Sequence, residues 1–359
     1  MNLVGSLVSG AVVATVLWQA GSLRGGDAGL TLSYATQFVQ ALMWLFRIYT
    51  QLEVSMNDVE RVEEYAHALP TEDYDATELP PALRLRASFG APPAAWPAEG
   101  AIEFCDVRLQ YASAHRPIFD GLSFKVAPRT RVGVVGRTGA GKSSLTVALF
   151  RVVELAAGRI LIDGVDHRGL GLSRLRGALS IIQQEPVLFK GSLRYNLAPV
   201  DDQAARTSDA ACWDALRRSG LEAKVRQLGG LEAGVAEAGG NLSAGERQLL
   251  CMARALLRRA SILVMDEATA SVDHATDARI QQMVKTDLKG TCTVLTVAHR
   301  LNTVVFYDQV LLLDRGAVLE HGPPLELLGR EHGAFRKLAE ESGDLAALTE
   351  AAREAAGAE

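Results

Sequence analysis

The chain has 359 residues, room for two domains at about 150 residues each. Its 48% apolar and 22% charged residues make a globular composition and exclude disorder throughout. Thirty-seven basic against forty-two acidic residues leave a net charge of −5, which excludes a broad basic face for nucleic acid.

The slightly positive mean hydropathy, +0.09, comes from one place. Between Met1 and Phe46 only Arg24 and Asp27 are charged. Met1 to Leu23 carries no charge and is long enough to cross a hydrocarbon core of about 30 Å as a helix. A second uncharged run, Ala28 to Phe46, is more polar, with Ser33, Tyr34, Thr36, Gln37 and Gln40. Such groups in a spanning helix face protein or an aqueous cavity. Trp18, Trp44 and Arg47 sit where interfacial anchors belong. The pattern predicts two spanning helices, about 3–23 and 28–50, joined by a tight turn at Gly25-Gly26. A secretory signal fits poorly, because no basic residue precedes Arg24 and the apolar run is too long. A buried soluble hairpin is the other reading of the second run. Two helices cannot enclose a pathway, so residues 1–57 read as part of a larger membrane domain.

From Thr50 the pattern becomes charged and amphipathic. In DVERVEEYAHAL, Val59, Val62, Ala66 and Leu69 recur at helical spacing among Asp58, Glu60, Arg61, Glu63 and Glu64. The second helix is therefore expected to continue out of the membrane. Six of the twelve prolines then fall between Pro70 and Pro97, together with the acidic patch TEDYDATE. Residues 58–100 read as a linker helix followed by a Pro-rich acidic linker, with a domain boundary near residue 100.

From Ala101 short apolar runs alternate with helical patterns, which predicts an α/β domain with a mainly parallel sheet over 101–340. The Ala/Glu-rich tail, 341–359, reads as a frayed helix or as disordered. In RVGVVGRTGAGKSSLTVALF, Val132 to Val135 is a buried strand, a glycine loop follows, and Lys142 opens a helix. This is G-x-x-x-x-G-K-[ST] in its strand–loop–helix setting. The candidate phosphate-binding residues are Gly136, Arg137, Thr138, Gly139, Ala140, Gly141, Lys142, Ser143 and Ser144. Glycines let backbone N–H groups converge on phosphate oxygens, and the helix N-terminus adds positive potential. Lys142 is expected to reach the β- and γ-phosphates of a bound nucleotide, and the Ser143 hydroxyl to ligate Mg²⁺.

A second strand, in SILVMDEATASVD, supplies the acids. Ile262 to Met265 is continuously apolar, so Asp266 and Glu267 emerge at its C-terminal end, where sheet ligands bind. Consecutive strand residues point to opposite sides, so the two carboxylates can take different roles. Asp266 would hold Mg²⁺, and Glu267 would orient and deprotonate an attacking water. Four cysteines, Cys105, Cys212, Cys251 and Cys292, lack CxxC spacing and read as free thiols in a reducing compartment. The seven histidines are equally dispersed and support no protein-built metal site.

NLSAGERQLLCMARALL, just before the acidic strand, resembles the signature motif of ATP-binding-cassette (ABC) transporters. GRTGAGKSSL, EPVLFKGSLRYNL, ILVMDEATASVD and TVLTVAHRLNTVVFYDQVLLLDRGAVLEHG together look most like the second cassette of subfamily C, the multidrug-resistance-protein group. The resemblance covers residues 101 to about 340, and the oily start resembles the last two helices of a transporter membrane domain. It implies a P-loop NTPase fold with a helical signature subdomain. It also implies that Tyr111 stacks on adenine, that Gln184 senses Mg²⁺ and couples to the membrane domain, and that His299 contacts the γ-phosphate. Asp273 would communicate between two cassettes. Ser243 and Gly245 would reach across a dimer to the ATP of a second cassette.

Two departures from the family pattern stand out. Gln183 replaces a usual proline, which leaves the backbone of that loop open. Ala244 and Glu246 replace a glycine and a glutamine of the signature, and the added methyl group and carboxylate are expected to weaken the phosphate contact by crowding and repulsion. The implied whole is an ATP-hydrolysing exporter of organic anions or conjugates, a multi-pass protein of a plasma or vacuolar-type membrane with its cassette cytosolic. Its partners would be a second nucleotide-binding domain, the remaining membrane helices, the lipid bilayer and a transported small molecule, but no nucleic acid. This chain is then expected to be a portion of it. An ATP-gated channel or channel regulator is the alternative; a soluble cassette ATPase is a second, against which the N-terminus argues.

Overall fold

Two helices occupy the start of the chain in the computed structural model, which describes residues 2–19, 21–22, 24–69, 96–112, 114–199, 207–266, 272–298 and 300–357. Helix α1 runs Asn2–Trp18 and α2 runs Gly25–Ala68. The expected glycine turn falls earlier. The Ser22 N–H donates to the Gln19 carbonyl at 2.9 Å, and Gly25 and Gly26 already belong to α2. Asp27 in that first turn complements the positive end of the helix dipole, which favours the earlier start. Gly5 lets the helices approach closely, since a Cβ there would lie 3.0 Å from Val39 Cγ1. Helix α2 runs on through the amphipathic stretch to Ala68. The acidic linker, within residues 70–95, lies outside the described residues.

Among the described residues no helix is long and apolar enough to cross a membrane. Helix α1 has 17 residues, about 26 Å at 1.5 Å per residue, short of the ~20 residues a bilayer core needs. The polar residues between Ser33 and Gln40 dilute α2. The two spanning helices predicted from the sequence are therefore not what these helices establish by themselves.

The chain divides into two units, Met1–Glu72 and Asp73–Glu359. In the second, strands β1 (Ile102–Leu109) and β2 (Phe119–Val126) precede β3 (Arg131–Gly136) and helix α3 (Lys142–Leu149). Then come β4 (Ala157–Ile162), β5 (Val165–Asp166), α4 (Leu172–Ala178), β6 (Leu179–Ile182), β7 (Gly191–Ser192) and α5 (Leu193–Leu197). A helical part follows: α6 (Asp209–Ser219), α7 (Glu222–Gln227), the short β8 (Gly234–Val235) and α8 (Ala244–Arg258). The chain returns through β9 (Ile262–Asp266), α9 (His274–Thr286), β10 (Thr293–Val297), β11 (Gln309–Asp314) and β12 (Ala317–Gly322). It closes with α10 (Pro324–Gly329), α11 (Ala334–Glu341) and α12 (Leu345–Gly357).

Six strands form the main sheet in the order β12-β11-β3-β10-β9-β6, parallel except for the β11–β12 hairpin. Its inner strands β11, β3, β10 and β9 are buried on both faces, as their continuous apolar runs require, whereas the edge strand β12 is only partly buried. Ile262 and Val264 point into a core shared with α3 and β1, while Leu263 and Met265 point into the core under α6 and α8. A separate antiparallel sheet, β2-β1-β4-β5, covers the first core and adds to the parallel sheet expected. In the tail, α12 is helical to Gly357, with Leu348 and Ala352, four residues apart, buried in the second core.

Candidate functional site

Strand register assembles the candidate residues at one end of the main sheet. Val134 pairs with Val297, Val297 with Asp266, and Met265 with Ile182. All four strands run the same way, so the glycine loop, Asp266 and Gln184 leave the sheet along its C-terminal edge. That is where open α/β sheets bind ligands.

The loop between β3 and α3 turns on glycines that no other residue could replace without strain. Gly136 (φ 156°) and Gly141 (φ 102°) both have positive φ. A Cβ on Gly136 would lie 2.3 Å from the Leu313 carbonyl oxygen, and one on Gly141 2.6 Å from Phe119 Cε1. No side chain caps the first turn of α3, the kind of helix start at which anions bind. The Lys142 ammonium donates to the carbonyls of Gly136 (2.8 Å) and Arg137 (3.2 Å), placing a cation over the loop. Ala140 is buried, whereas Arg137, Thr138, Gly139 and Ser143 are exposed. The Tyr111 hydroxyl donates to Ser144 Oγ at 3.1 Å, so this tyrosine stands beside the first turn of α3. Arg137 reaches Glu341 of α11 at 3.4 Å through side chains that are mostly exposed, a contact screened by water.

Asp266 ends β9, half-buried. Among the described residues no cluster of three or more His, Cys, Asp or Glu could hold a metal. Mg²⁺ is bound through one or two carboxylates plus phosphate oxygens rather than in an all-protein cage. The donor set here, a serine hydroxyl and an aspartate, is made of hard oxygens and suits it. Glu267 and His299 lie outside the described residues.

Gln184 follows β6 and is exposed. The loop's backbone is held despite the missing proline: the buried Gln248 of α8 donates its amide to the Gln183 carbonyl at 3.2 Å. The same helix starts at Ser243, an exposed N-cap. Gly245 is buried against the N-cap of α9. A Cβ there would lie 2.7 Å from Thr276 Oγ1 and 3.1 Å from Asp273 Oδ2. Asp273 accepts from the Ala275 and Thr276 N–H groups and from Thr276 Oγ1. The Thr276 N–H, followed by its hydroxyl, holds the Asp273 carboxyl below the usual carboxylate range. The structure therefore brings Gly245 and Asp273 together, and separately gathers Lys142 with the loop carbonyls and Tyr111 with Ser144.

One group behaves differently from its sequence-based expectation. Glu246 does not project as a free charge: Oε2 accepts the Ser243 N–H at 2.8 Å and Oε1 pairs with Lys224 Nζ at 3.0 Å. Burial opposes its ionisation, but the Ser243 N–H and Lys224 outweigh it, and its pKa is lowered. Nothing in the sequence singles out Lys224, because α7 and α8 meet through tertiary packing and no local spacing announces the pair.

Residues 119–270 match the family described as ABC transporter. The chain is 40% identical to ABC transporter 7 of Pyricularia oryzae, covering 99% of this chain and 22% of that protein. It is 42% identical to human ATP-binding cassette sub-family C member 2, over 96% of this chain and 21% of that one. It is 38% identical to the ATP-dependent bile acid permease of Saccharomyces cerevisiae, over 99% and 22%. The chain thus spans about a fifth of the length of these curated relatives, 21–22%. Among solved structures, a bacterial Atm1-family ABC exporter with ATP bound superimposes with a TM-score of 0.75 at 31% identity, covering 95% of this chain and 57% of that one.

Proposed function

Since the chain belongs to the ABC transporter family through an ATPase domain homologous to the subfamily C members, we propose that it powers a membrane exporter of organic anions or conjugates. The observation that carries this is the sheet edge, where an uncapped helix start and Lys142 face the same end as Asp266. Lys142 and the loop N–H groups bind the β- and γ-phosphates, Tyr111 takes the adenine, and the Ser143 hydroxyl and Asp266 hold Mg²⁺, with Gln184 beside them. Bound there, Mg²⁺ would neutralise phosphate charge. Glu267 takes a proton from the attacking water, and His299 steadies the γ-phosphate. Ser243, Gly245 and Asp273 serve the facing cassette, so each site is completed in trans.

Two observations support the membrane part. Large apolar side chains of α1 and α2 are exposed, among them Leu7, Leu17, Phe38, Trp44, Leu45 and Phe46, as helices that meet lipid or further helices require. The yeast relative's name specifies a bile acid, an organic anion. The remaining membrane helices and a second nucleotide-binding domain are the partners this reading needs, in a plasma or vacuolar-type membrane with the cassette in the cytosol.

The test is Glu267→Gln. Loss of a general base should cut Mg-ATP turnover by about 10²–10⁴-fold while a fluorescent ATP analogue still binds. Undiminished turnover would refute the assignment.

A further inference from the structure

The capping box at Ser243 has a third member that comes from another element. Ser243 Oγ accepts the Glu246 N–H at 3.1 Å, and the Glu246 carboxylate returns to the Ser243 N–H. The carboxylate's other oxygen is held by Lys224, from the last turn of α7. Ammonium, carboxylate and serine backbone thus form a chain of three groups ending at a hydroxyl on the helix N-terminus. Both side chains of the ion pair are partly shielded, at 37% and 24% exposed.

The chemistry of position 246 makes the lysine necessary. A carboxylate one turn into α8 suits the helix dipole, but it lies next to groups that must face phosphate. Unpaired, it would turn toward solvent and repel that phosphate. Paired, it is electrically cancelled and its geometry is fixed from two sides. A neutral glutamine would cap Ser243 without needing a cation.

We propose that Lys224 is a positioning residue of the signature, holding and neutralising Glu246 so that Ser243 faces the phosphates of a second cassette. This rests on reading the chain as one half of a nucleotide-sandwiching pair. The pairing with Glu246 is internal to the chain and can be tested without the partner.

The experiment uses the full chain as wild type, K224A, K224R, E246Q and K224A/E246Q. Hydrogen exchange of the nucleotide-free chain is followed over residues 243–247. K224A should speed exchange at the Ser243 amide by about threefold to tenfold, the worth of one hydrogen bond. K224R should stay near wild type, and K224A should add nothing on the E246Q background. Mg-ATP turnover forms the second arm. K224A should raise KM for ATP about tenfold with a much smaller change in kcat, and by less than about twofold on the E246Q background. Unchanged exchange in K224A overturns the proposal. Equal losses on both backgrounds overturn it too, because the lysine would then act through the stability of α7 and not through Glu246. Absence of turnover in every variant, wild type included, would count against the paired-cassette reading, and the exchange arm would still decide the Lys224–Glu246 link.

Discussion

Arg131 and Asp308 show how single side chains hold the site's scaffold. Asp308 accepts the Arg131 N–H (2.7 Å) and Nε–H (3.1 Å) on Oδ2 and an Nη2–H (2.6 Å) on Oδ1, and Arg131 is only 5% exposed. Burial would raise the Asp308 pKa, yet the arginine bonds outweigh it and the carboxyl sits below its ordinary value. Asp308→Asn should therefore cost about 3–5 kcal/mol, because it strands a buried guanidinium. Chemical denaturation measures it. A lowered folded pKa means the unfolded chain binds the proton first. The pair's contribution is full above the ordinary value of 3.8 and is lost as pH falls through the lowered one. The variant should lack that part of the acid sensitivity. At this scale the glycine loop was legible because its chemistry is local. The Arg131–Asp308 and Lys224–Glu246 pairs were not, since each joins distant segments and neither has a spacing to read.

Among the elements, α8 bears the most. Its hydrophobic face packs under β9, its first turn abuts α9, and Gln248 reaches the loop of Gln184. Ser243→Ala removes the N-cap and should cost about 1 kcal/mol of stability, read as a shift in the urea midpoint with the slope unchanged. The parallel strands were legible because sheets buried on both faces spell unbroken apolar runs. The antiparallel sheet was not, because its pairing depends on which half-buried strands meet rather than on either pattern. Helix α12 had a signal that composition masked: Leu348 and Ala352 lie one turn apart in a run otherwise dominated by small and acidic residues.

For the molecule as a whole, length and hydropathy point to two parts with a boundary near residue 100, and the chain divides into two units between Glu72 and Asp73. The membrane role proposed for the first rests on a lack of charge, which helices of this length and polarity do not by themselves turn into a span. A site completed in trans has a kinetic signature. At low concentrations, turnover by the purified chain should rise with the square of its concentration, and chelating Mg²⁺ should abolish it. A strictly linear dependence in an enzyme-dilution series would contradict the paired-cassette arrangement.

The sheet order also bears on how the protein is made. Strand β3, which carries the phosphate loop, is flanked by β10 and β11, and its first residue is tied to Asp308, 177 residues later. A ribosome adding about 5–20 residues per second needs about 9–35 s to supply that distance. For most of that interval this short strand, buried from Arg131 to Val135, has neither neighbour, and closing so large a loop is entropically slow. Nascent chains should consequently acquire nucleotide affinity late and abruptly, with β3 as the segment most in need of chaperone cover until then.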